Sequence, residues 1–180
     1  VHDIGRCARK GSLGSPYAIR DYLGVHPAPG TPDDLKRLVE TAHGHGIRVV
    51  MDFVANHSAK DCVLTTAHPE WYRRDANGDI QCPGFGWDDV VAFDYANDDL
   101  RRYMIDVMRH YVEEFDIDGF RCDVAALVPT DFWRAARKTL KEINPSLLLL
   151  AESHEPSHNA IAFDVTYEET LPKILEEVLS

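Results

Sequence analysis

The sequence lacks long apolar runs and closely spaced cysteines. None of its 180 residues lies in an apolar run of the about 20 residues that a membrane-spanning helix needs. Cysteine is scarce, and Cys7, Cys62, Cys82 and Cys122 form no Cys-x-x-Cys pair, so we expect no zinc site. Cys62 and Cys82 could pair in an oxidising compartment, but we expect free thiols.

Positive charge is also scarce. The chain has 19 lysines and arginines against 30 aspartates and glutamates, which gives a formal net charge of −11. Nucleic acids and anionic membranes attract basic surfaces, so the sequence predicts neither as a partner. The same charge disfavours polyanionic substrates. A neutral substrate, such as a sugar polymer, is compatible with it.

Apolar runs that indicate strands alternate with amphipathic stretches that indicate helices. The expected strands cover residues 47–54, 117–124, 147–151 and 160–165. The expected helices begin after the caps Thr31, Asn97 and Thr130, and another begins near Leu171. Strands that alternate with helices build βαβ units around a parallel sheet, so the sequence predicts an α/β fold.

Two segments do not follow this alternation. Residues 1–30 are rich in glycine, proline and polar residues, and they read as a long loop. Residues 58–97 are rich in Trp, Asp, Gly and Pro. A connection of this length, about 40 residues, usually marks a functional insertion, so we expect a long loop or a small subdomain there.

Three short segments place charged side chains at the ends of apolar strands. They are Asp52–His57, Asp118–Ala125 and Leu147–Ser153. Parallel strands are normally apolar throughout, so these interruptions mark the point where each strand leaves the core. Arg121 and Asp123 are two residues apart and therefore point to the same face of their strand. From spacing alone they are either a buried structural ion pair or part of a catalytic site.

The three segments, in this order, resemble the α-amylase family of glycoside hydrolases. The matching positions are Asp52, Asn56 and His57 after the third barrel strand, Gly119–Asp123 in the fourth, Glu152 after the fifth, and the aromatic segment Gly14–Tyr22 after the second. The resemblance implies a TIM (β/α)8 barrel. Such a barrel typically needs about 250 residues. We therefore expect residues 1–180 to be a partial catalytic domain, roughly from the end of the second strand through the sixth helix.

The resemblance also assigns roles to individual residues. It implies that Asp123 is the nucleophile, that Glu152 is the general acid and base, and that Arg121 keeps Asp123 ionised. The resemblance further implies that His57, Tyr17 and Asp52 contribute to substrate binding, although Asp52 could instead stabilise its strand end. The family's final His-Asp pair has no counterpart before Ser180, so we expect the isolated chain to have little activity.

The resemblance implies a retaining hydrolase or transglycosylase that acts on α-glucosidic bonds of maltooligosaccharides or α-glucans. Two rivals remain at this point. One is a non-catalytic carbohydrate-binding or scaffold relative with the same fold, because a fold alone does not establish a function. The other is an unrelated barrel enzyme, such as a lyase that uses Glu152 as its base.

No cofactor is expected. Many members of the family bind calcium next to the equivalent of Asn56. Here Ala126 and Leu127 replace the family's Lys-His pair after the nucleophile, which removes a common calcium contact and disfavours a calcium site.

The aromatic residues of the long segment over residues 58–97 either stack on glucose rings or pack locally. They are Trp71, Tyr72, Phe85 and Trp87. Asp88, Asp89 and Asp94 are expected to be solvated or capping residues.

Overall fold

The structure, a computed structural model, describes residues 2–6, 11–12, 14–168 and 170–179. Its strands, in chain order, are β1 (His2–Ile4), β2 (Ile19–Val25), β3 (Val50–Val54), β4 (His57–Ala59), β5 (Val90–Ala92), β6 (Gly119–Asp123), β7 (Leu148–Ala151) and β8 (Val165–Thr166). Its helices are α1 (Pro32–Gly44), α2 (Val63–Ala67), α3 (Asp98–Phe115), α4 (Thr130–Ile143), α5 (Pro156–Ile161) and α6 (Thr170–Leu179). Within these described ranges, no helix is long and apolar enough to cross a membrane.

A four-stranded parallel sheet forms the centre of the fold. Its strand order is β3-β6-β7-β8, and helices α3 and α4 connect β3 to β6 and β6 to β7. This is the βαβ arrangement that the sequence predicted. The register pairs Asp52 with Arg121 and Val54 with Asp123. Because all four strands run in the same direction, their C-terminal ends lie at the same edge of the sheet.

The close approach of β6 to β7 requires a glycine. A Cβ atom added at Gly119 would lie 2.3 Å from the carbonyl oxygen of Leu148. No real side chain tolerates that distance, so the first residue of β6 has to be glycine for the two strands to pair. The glycine at position 119 therefore lets β6 pair closely with β7, and this pairing helps to position Arg121 and Asp123 relative to β7.

Apolar side chains of the sheet pack against the helices in one hydrophobic core. Its largest fully buried members are aromatic, and they include Tyr22, Phe53, Tyr111, Phe120, Phe132 and Trp133. Cys62 and Cys122 are buried in the same core, and both are free thiols, as is the partly buried Cys82. Cys7 lies outside the described residues.

Of the three predicted helix caps, two are confirmed and one is wrong. Thr31 caps α1 through a reciprocal capping box with Asp34, and the Asn97 side chain accepts bonds from the first-turn amides of α3. The prediction that Thr130 caps α4 is wrong, because Pro129 occupies the cap position without a side-chain bond. Thr130 is the first helical residue, and its hydroxyl lies 3.4 Å from His158 Nε2.

Three segments differ from the sequence expectation. Residues 1–30 are not only loop, because β1 and β2 form an antiparallel pair within them. Residues 58–97 contain α2 and β5, and β5 pairs with β4. The expected strand over residues 160–165 is wrong: Pro156 starts the short helix α5, and only Val165–Thr166 pair with β7. The first two differences arise where pairing with another strand, rather than local periodicity, selects the conformation. The third arises because Pro156 is at the first position of a helix, where proline is favoured.

Candidate active site

Arg121 is the centre of a charged cluster at the C-terminal edge of the sheet. Its Nη1 atom donates to Asp52 Oδ1 and to Asp123 Oδ1, each at 2.8 Å. Its Nη2 atom lies 2.8 Å from Glu152 Oε1. The three acceptors come from three neighbouring strands: Asp52 lies in β3, Asp123 ends β6, and Glu152 directly follows β7. One guanidinium group thus brings the two predicted catalytic carboxylates to the same face of the sheet.

Tyr167 completes this cluster, and the sequence reasoning did not identify it. The Nε atom of Arg121 donates to the Tyr167 hydroxyl at 3.2 Å. The guanidinium carbon lies 5.9 Å from the Tyr167 ring and 5.8 Å from the Tyr17 ring. All three nitrogens of the guanidinium therefore have partners, which fixes its plane. The only local signal was that Tyr167 lies two residues after the expected strand over residues 160–165.

The cluster has consequences for protonation. Burial acts to lower the pKa of Arg121, but its bonds to Asp52, Tyr167 and Asp123 outweigh burial and raise that pKa, so the guanidinium stays charged. Burial raises the pKa of the Asp123 carboxyl to about 6. The charge of Glu152 adds to this rise, and the Arg121 bond opposes it. Asp123 is therefore ionised at neutral pH and protonated in mild acid.

Both carboxylate oxygen atoms of Glu152 have a partner. While Oε1 faces Arg121, Oε2 accepts a bond from the backbone N–H of Val124 at 2.8 Å. Val124 has a left-handed backbone, with φ 38° and ψ 46°, which is an outlier for a β-branched residue. Such strain persists where the surroundings enforce it. Here it aims an N–H group, one residue after Asp123, at the second carboxylate.

Two buried tyrosines hold the turn that presents His57. The Tyr22 hydroxyl donates a bond shared between the carbonyl oxygens of Val54, at 2.9 Å, and His57, at 2.8 Å. The Tyr95 hydroxyl donates to the carbonyl oxygen of Ala55 at 2.9 Å. His57 itself is buried. Its position is thus determined by aromatic residues that lie 35 and 38 residues away in the sequence.

A cavity of about 300 Å³ opens above Arg121. Its lining consists of Ser15, Tyr17, His57, Trp87, Asp89, Val90, Arg121, Asp123, Val124 and Glu152. Five of the six predicted site residues are therefore brought together. The sixth, Asp52, contacts Arg121 without lining the cavity. Asp89 was expected to be a solvated or capping residue, but it is buried in the wall of this cavity.

The residues around Asn56 do not form an evident calcium site. The Asn56 amide nitrogen lies 3.2 Å from His57 Nδ1, and residues 125–127, which follow the Asp123 strand, form an apolar 3-10 turn. Calcium prefers several oxygen ligands. In the part of the chain that the structure describes, no three His, Cys, Asp or Glu side chains converge as a metal site would require. The absence of a cofactor stays a prediction.

The sequence is similar to known proteins over most of its length. A family profile described as the alpha amylase catalytic domain matches residues 11–77 and 85–163. The alpha-1,4-glucan:maltose-1-phosphate maltosyltransferase of Myxococcus xanthus is 34% identical over 85% of this chain and 26% of that protein. The maltogenic alpha-amylase of Bacillus acidopullulyticus is 33% identical over 76% of this chain and 26% of that protein.

Solved structures match in fold as well as in sequence. The maltogenic alpha-amylase AmyB of Thermotoga neapolitana superposes with a TM-score of 0.91 at 48% identity, and the match covers 98% of this chain and 41% of that one. An alpha-amylase from Lactobacillus plantarum gives 0.88 at 41% identity, with 97% and 45% covered. The chain spans about a quarter of the length of the curated relatives above. These matches confirm the predicted fold class, part of a TIM (β/α)8 barrel.

Proposed function

Because the chain belongs to the alpha-amylase family through its catalytic domain, we propose that the protein carrying it cleaves α-glucosidic bonds with retention. The substrates are maltooligosaccharides or α-glucans, and the acceptor is water or another sugar. The observation that carries this proposal is the placement of Asp123 and Glu152 on one guanidinium, at the ends of the neighbouring strands β6 and β7.

The first chemical step forms a covalent intermediate. A carboxylate oxygen of Asp123 attacks the anomeric carbon, and the glycosidic bond breaks. The electron pair of that bond goes to the leaving oxygen, which takes a proton from Glu152. A retaining pair works with its carboxyl groups about 5–5.5 Å apart, because the nucleophile itself must reach the anomeric carbon. A shared guanidinium between the two carboxylates supports this close arrangement.

The second step releases the sugar. Glu152, now ionised, removes a proton from water or from a sugar hydroxyl, whose oxygen displaces Asp123 from the anomeric carbon. Arg121 supports both steps. Before attack it stabilises the charge on Asp123. After attack Asp123 is a neutral ester, so the guanidinium acts mainly on the carboxylate of Glu152, which is the form that a base requires.

Proton donation by Glu152 requires a local change. Both of its oxygens accept hydrogen bonds, one from Arg121 and one from Val124. The hydroxyl oxygen of a protonated carboxyl is a weaker acceptor than a carboxylate oxygen, so we expect one of these two contacts to weaken when Glu152 carries the proton. Catalytic hydrogen bonds commonly rearrange in this way on substrate binding.

His57 and Tyr17 are placed to hold the sugar ring whose bond is cleaved. Both line the cavity beside Asp123 and Glu152. The imidazole can donate to a ring hydroxyl, and the tyrosine ring presents an apolar face to the C–H groups of the sugar. The neutral charge of a glucan suits a chain with a net charge of −11. The same charge argues against nucleic acid as a partner.

A trapping experiment tests this function and separates it from its rivals. The protein at its natural length is incubated with an activated fluoroglucoside and digested, and the peptides are analysed by mass spectrometry. We expect a glycosyl group on the peptide that contains Asp123. A binding or scaffold relative would bind sugar and form no adduct. A lyase that uses Glu152 as base would release an unsaturated product, and either result would contradict the proposal.

The activity should depend on pH through Asp123. Its carboxyl group must be ionised to attack, and its pKa is about 6. We therefore expect kcat/KM to be constant near neutral pH and to fall about tenfold for each pH unit below about 6. The measurement is a pH profile of kcat/KM with an activated aryl α-glucoside. An acid limb that stays flat down to pH 4 would show that no group with this pKa acts as the nucleophile.

A further inference from the structure

Tyr167 belongs to the Arg121 cluster, but the chemistry described above gives it no role. Its hydroxyl accepts a bond from Arg121 Nε at 3.2 Å. Tyr167 does not line the cavity that holds Asp123 and Glu152. In this geometry, any effect of its hydroxyl on the two carboxylates passes through the guanidinium group.

The main chain fixes Tyr167 beside the segment that carries Glu152. Tyr167 follows the short strand β8, which pairs with β7. Its backbone N–H donates to the carbonyl oxygen of Ser153, one residue after Glu152, at 3.0 Å. Tyr167 is therefore bonded at two points, because its main chain contacts the Glu152 segment and its side chain contacts Arg121. These two bonds define where the hydroxyl lies.

The bond to Nε helps to set the plane of the guanidinium. The Nη atoms of Arg121 reach Asp123 and Glu152, each at 2.8 Å. Both Nη atoms move when the group rotates about its Cδ–Nε bond, and a partner at Nε opposes that rotation. Only 18% of the Arg121 side chain is exposed, so water only partly replaces a lost partner.

We propose that Tyr167 is a positioning residue, whose hydroxyl holds the Arg121 guanidinium in the plane from which it contacts Asp123 and Glu152. The proposal rests on the proposed function and adds one residue to it. Removing the hydroxyl leaves the cavity lining unchanged and weakens the bond from Arg121 to Asp123. The ionised form of Asp123, which attacks the sugar, is then less stable.

The test is the pH profile of Tyr167→Phe, measured in the protein at its natural length with an activated aryl α-glucoside. Phenylalanine keeps the ring and the backbone bond to Ser153. The Arg121 bond opposes the rise in the Asp123 pKa. We therefore expect the midpoint of the acid limb of kcat/KM to move upward by about 0.3 to 1 pH unit. The plateau of kcat/KM should fall about 3- to 10-fold.

The other groups around Asp123 are the same in Tyr167→Phe and in the natural protein. The charged and titratable ones are Arg121 on the same strand, Asp52 in β3, Glu152 after β7, and Tyr17, His57 and Asp89 in the cavity wall. The substitution removes one neutral hydroxyl and no charge at neutral pH. A displaced acid limb therefore reports how Arg121 is held.

A double-mutant cycle shows whether Tyr167 acts through Arg121. Arg121→Lys keeps the positive charge but has no planar fork for the hydroxyl to orient. In that background we expect Tyr167→Phe to lower kcat/KM on the aryl glucoside by less than about 1.5-fold, because the two losses are not additive. The same 3- to 10-fold loss in both backgrounds would overturn the proposal.

Tyr103→Phe is the matched control. It removes a tyrosine hydroxyl from α3, where the ring packs on the buried Trp71 with centroids 5.3 Å apart, outside the cavity. It should change neither the acid limb nor the plateau. An acid limb that stays in place in Tyr167→Phe, with or without a lower Tm, would mean that Tyr167 serves only the fold, and it would overturn the positioning role.

Failure of the proposed function would be seen separately. If the unchanged protein does not cleave the aryl glucoside, the proposed chemistry is wrong. The Asp123 carboxyl is then titrated directly by carbon-13 NMR, and Asp123→Asn identifies its resonance. An Asp123 pKa that rises by the same 0.3 to 1 unit in Tyr167→Phe would support the positioning role. An unchanged pKa would reject it.

Discussion

Replacing Asp123 with asparagine should lower kcat/KM by about 10⁴-fold or more, which is the usual cost of removing a nucleophile. An amide oxygen is a much weaker nucleophile than a carboxylate, so the covalent glycosyl-enzyme should not form. The measurements are steady-state kinetics on maltoheptaose and mass spectrometry after incubation with an activated fluoroglucoside. Asp79→Asn, which changes an exposed aspartate that does not line the cavity, is the matched control.

The loss should not come from unfolding. The Asp123 pKa is raised in the folded state from 3.8 to about 6, so ionising this carboxyl destabilises the fold as the pH rises through that window. At pH 7 that cost is fully present in the natural protein, and asparagine removes it. We therefore expect the variant to melt at the same temperature or higher at pH 7. A variant that retains more than about a hundredth of the activity would contradict the assignment of Asp123.

Replacing Glu152 with glutamine should have an effect that depends on the leaving group. Loss of a general acid typically costs about 10²- to 10⁴-fold. A natural sugar leaving group needs the proton, whereas an activated aryl or fluoride leaving group departs nearly without it. We expect kcat for maltooligosaccharide cleavage to fall by at least about 10²-fold, and the first step on an activated glucoside to fall much less. Pre-steady-state kinetics on both substrate types measure this difference.

The release step provides a second signature of Glu152. Without a base, the glycosyl-enzyme on Asp123 should accumulate after a burst of the activated leaving group. Glu155→Gln is the matched control, since Glu155 lies three residues further along, is exposed and precedes α5. Equal losses on sugar and activated leaving groups, with no burst, would mean that Glu152 supports the structure of the site and does not act as its acid and base.

Much of the fold could be predicted from the sequence because it depends on interactions between residues close together in the chain. Thr31 and Asn97 cap their helices through bonds to amides within three residues of them, so the sequence alone marks both starts. Arg121 and Asp123 share a face because side chains on a strand alternate, which needs no knowledge of the neighbours. The resemblance supplied the rest of the site, and the structure brings five of its six predicted residues into one cavity.

Other features were decided only by tertiary contacts. The hairpin of β1 and β2 is held by pairing across a gap of 14 residues, and its polar residues hide any alternating pattern. Tyr167 reaches Arg121 across 46 residues. Asp89 is buried because the segment that carries it folds back on the cavity, and no local signal distinguishes it from its exposed neighbour Asp88.

The sequence by itself determined which chemical groups are available and on which face of each strand they stand, because both follow from residue type and from the two-residue period of a strand. Tertiary structure alone decided which of those groups meet. The parallel register sets Asp52 opposite Arg121, and the left-handed turn at Val124 aims its N–H at Glu152. Distances of 2.8 Å between residues 28 to 69 positions apart depend on the packing of whole strands, which no short segment encodes.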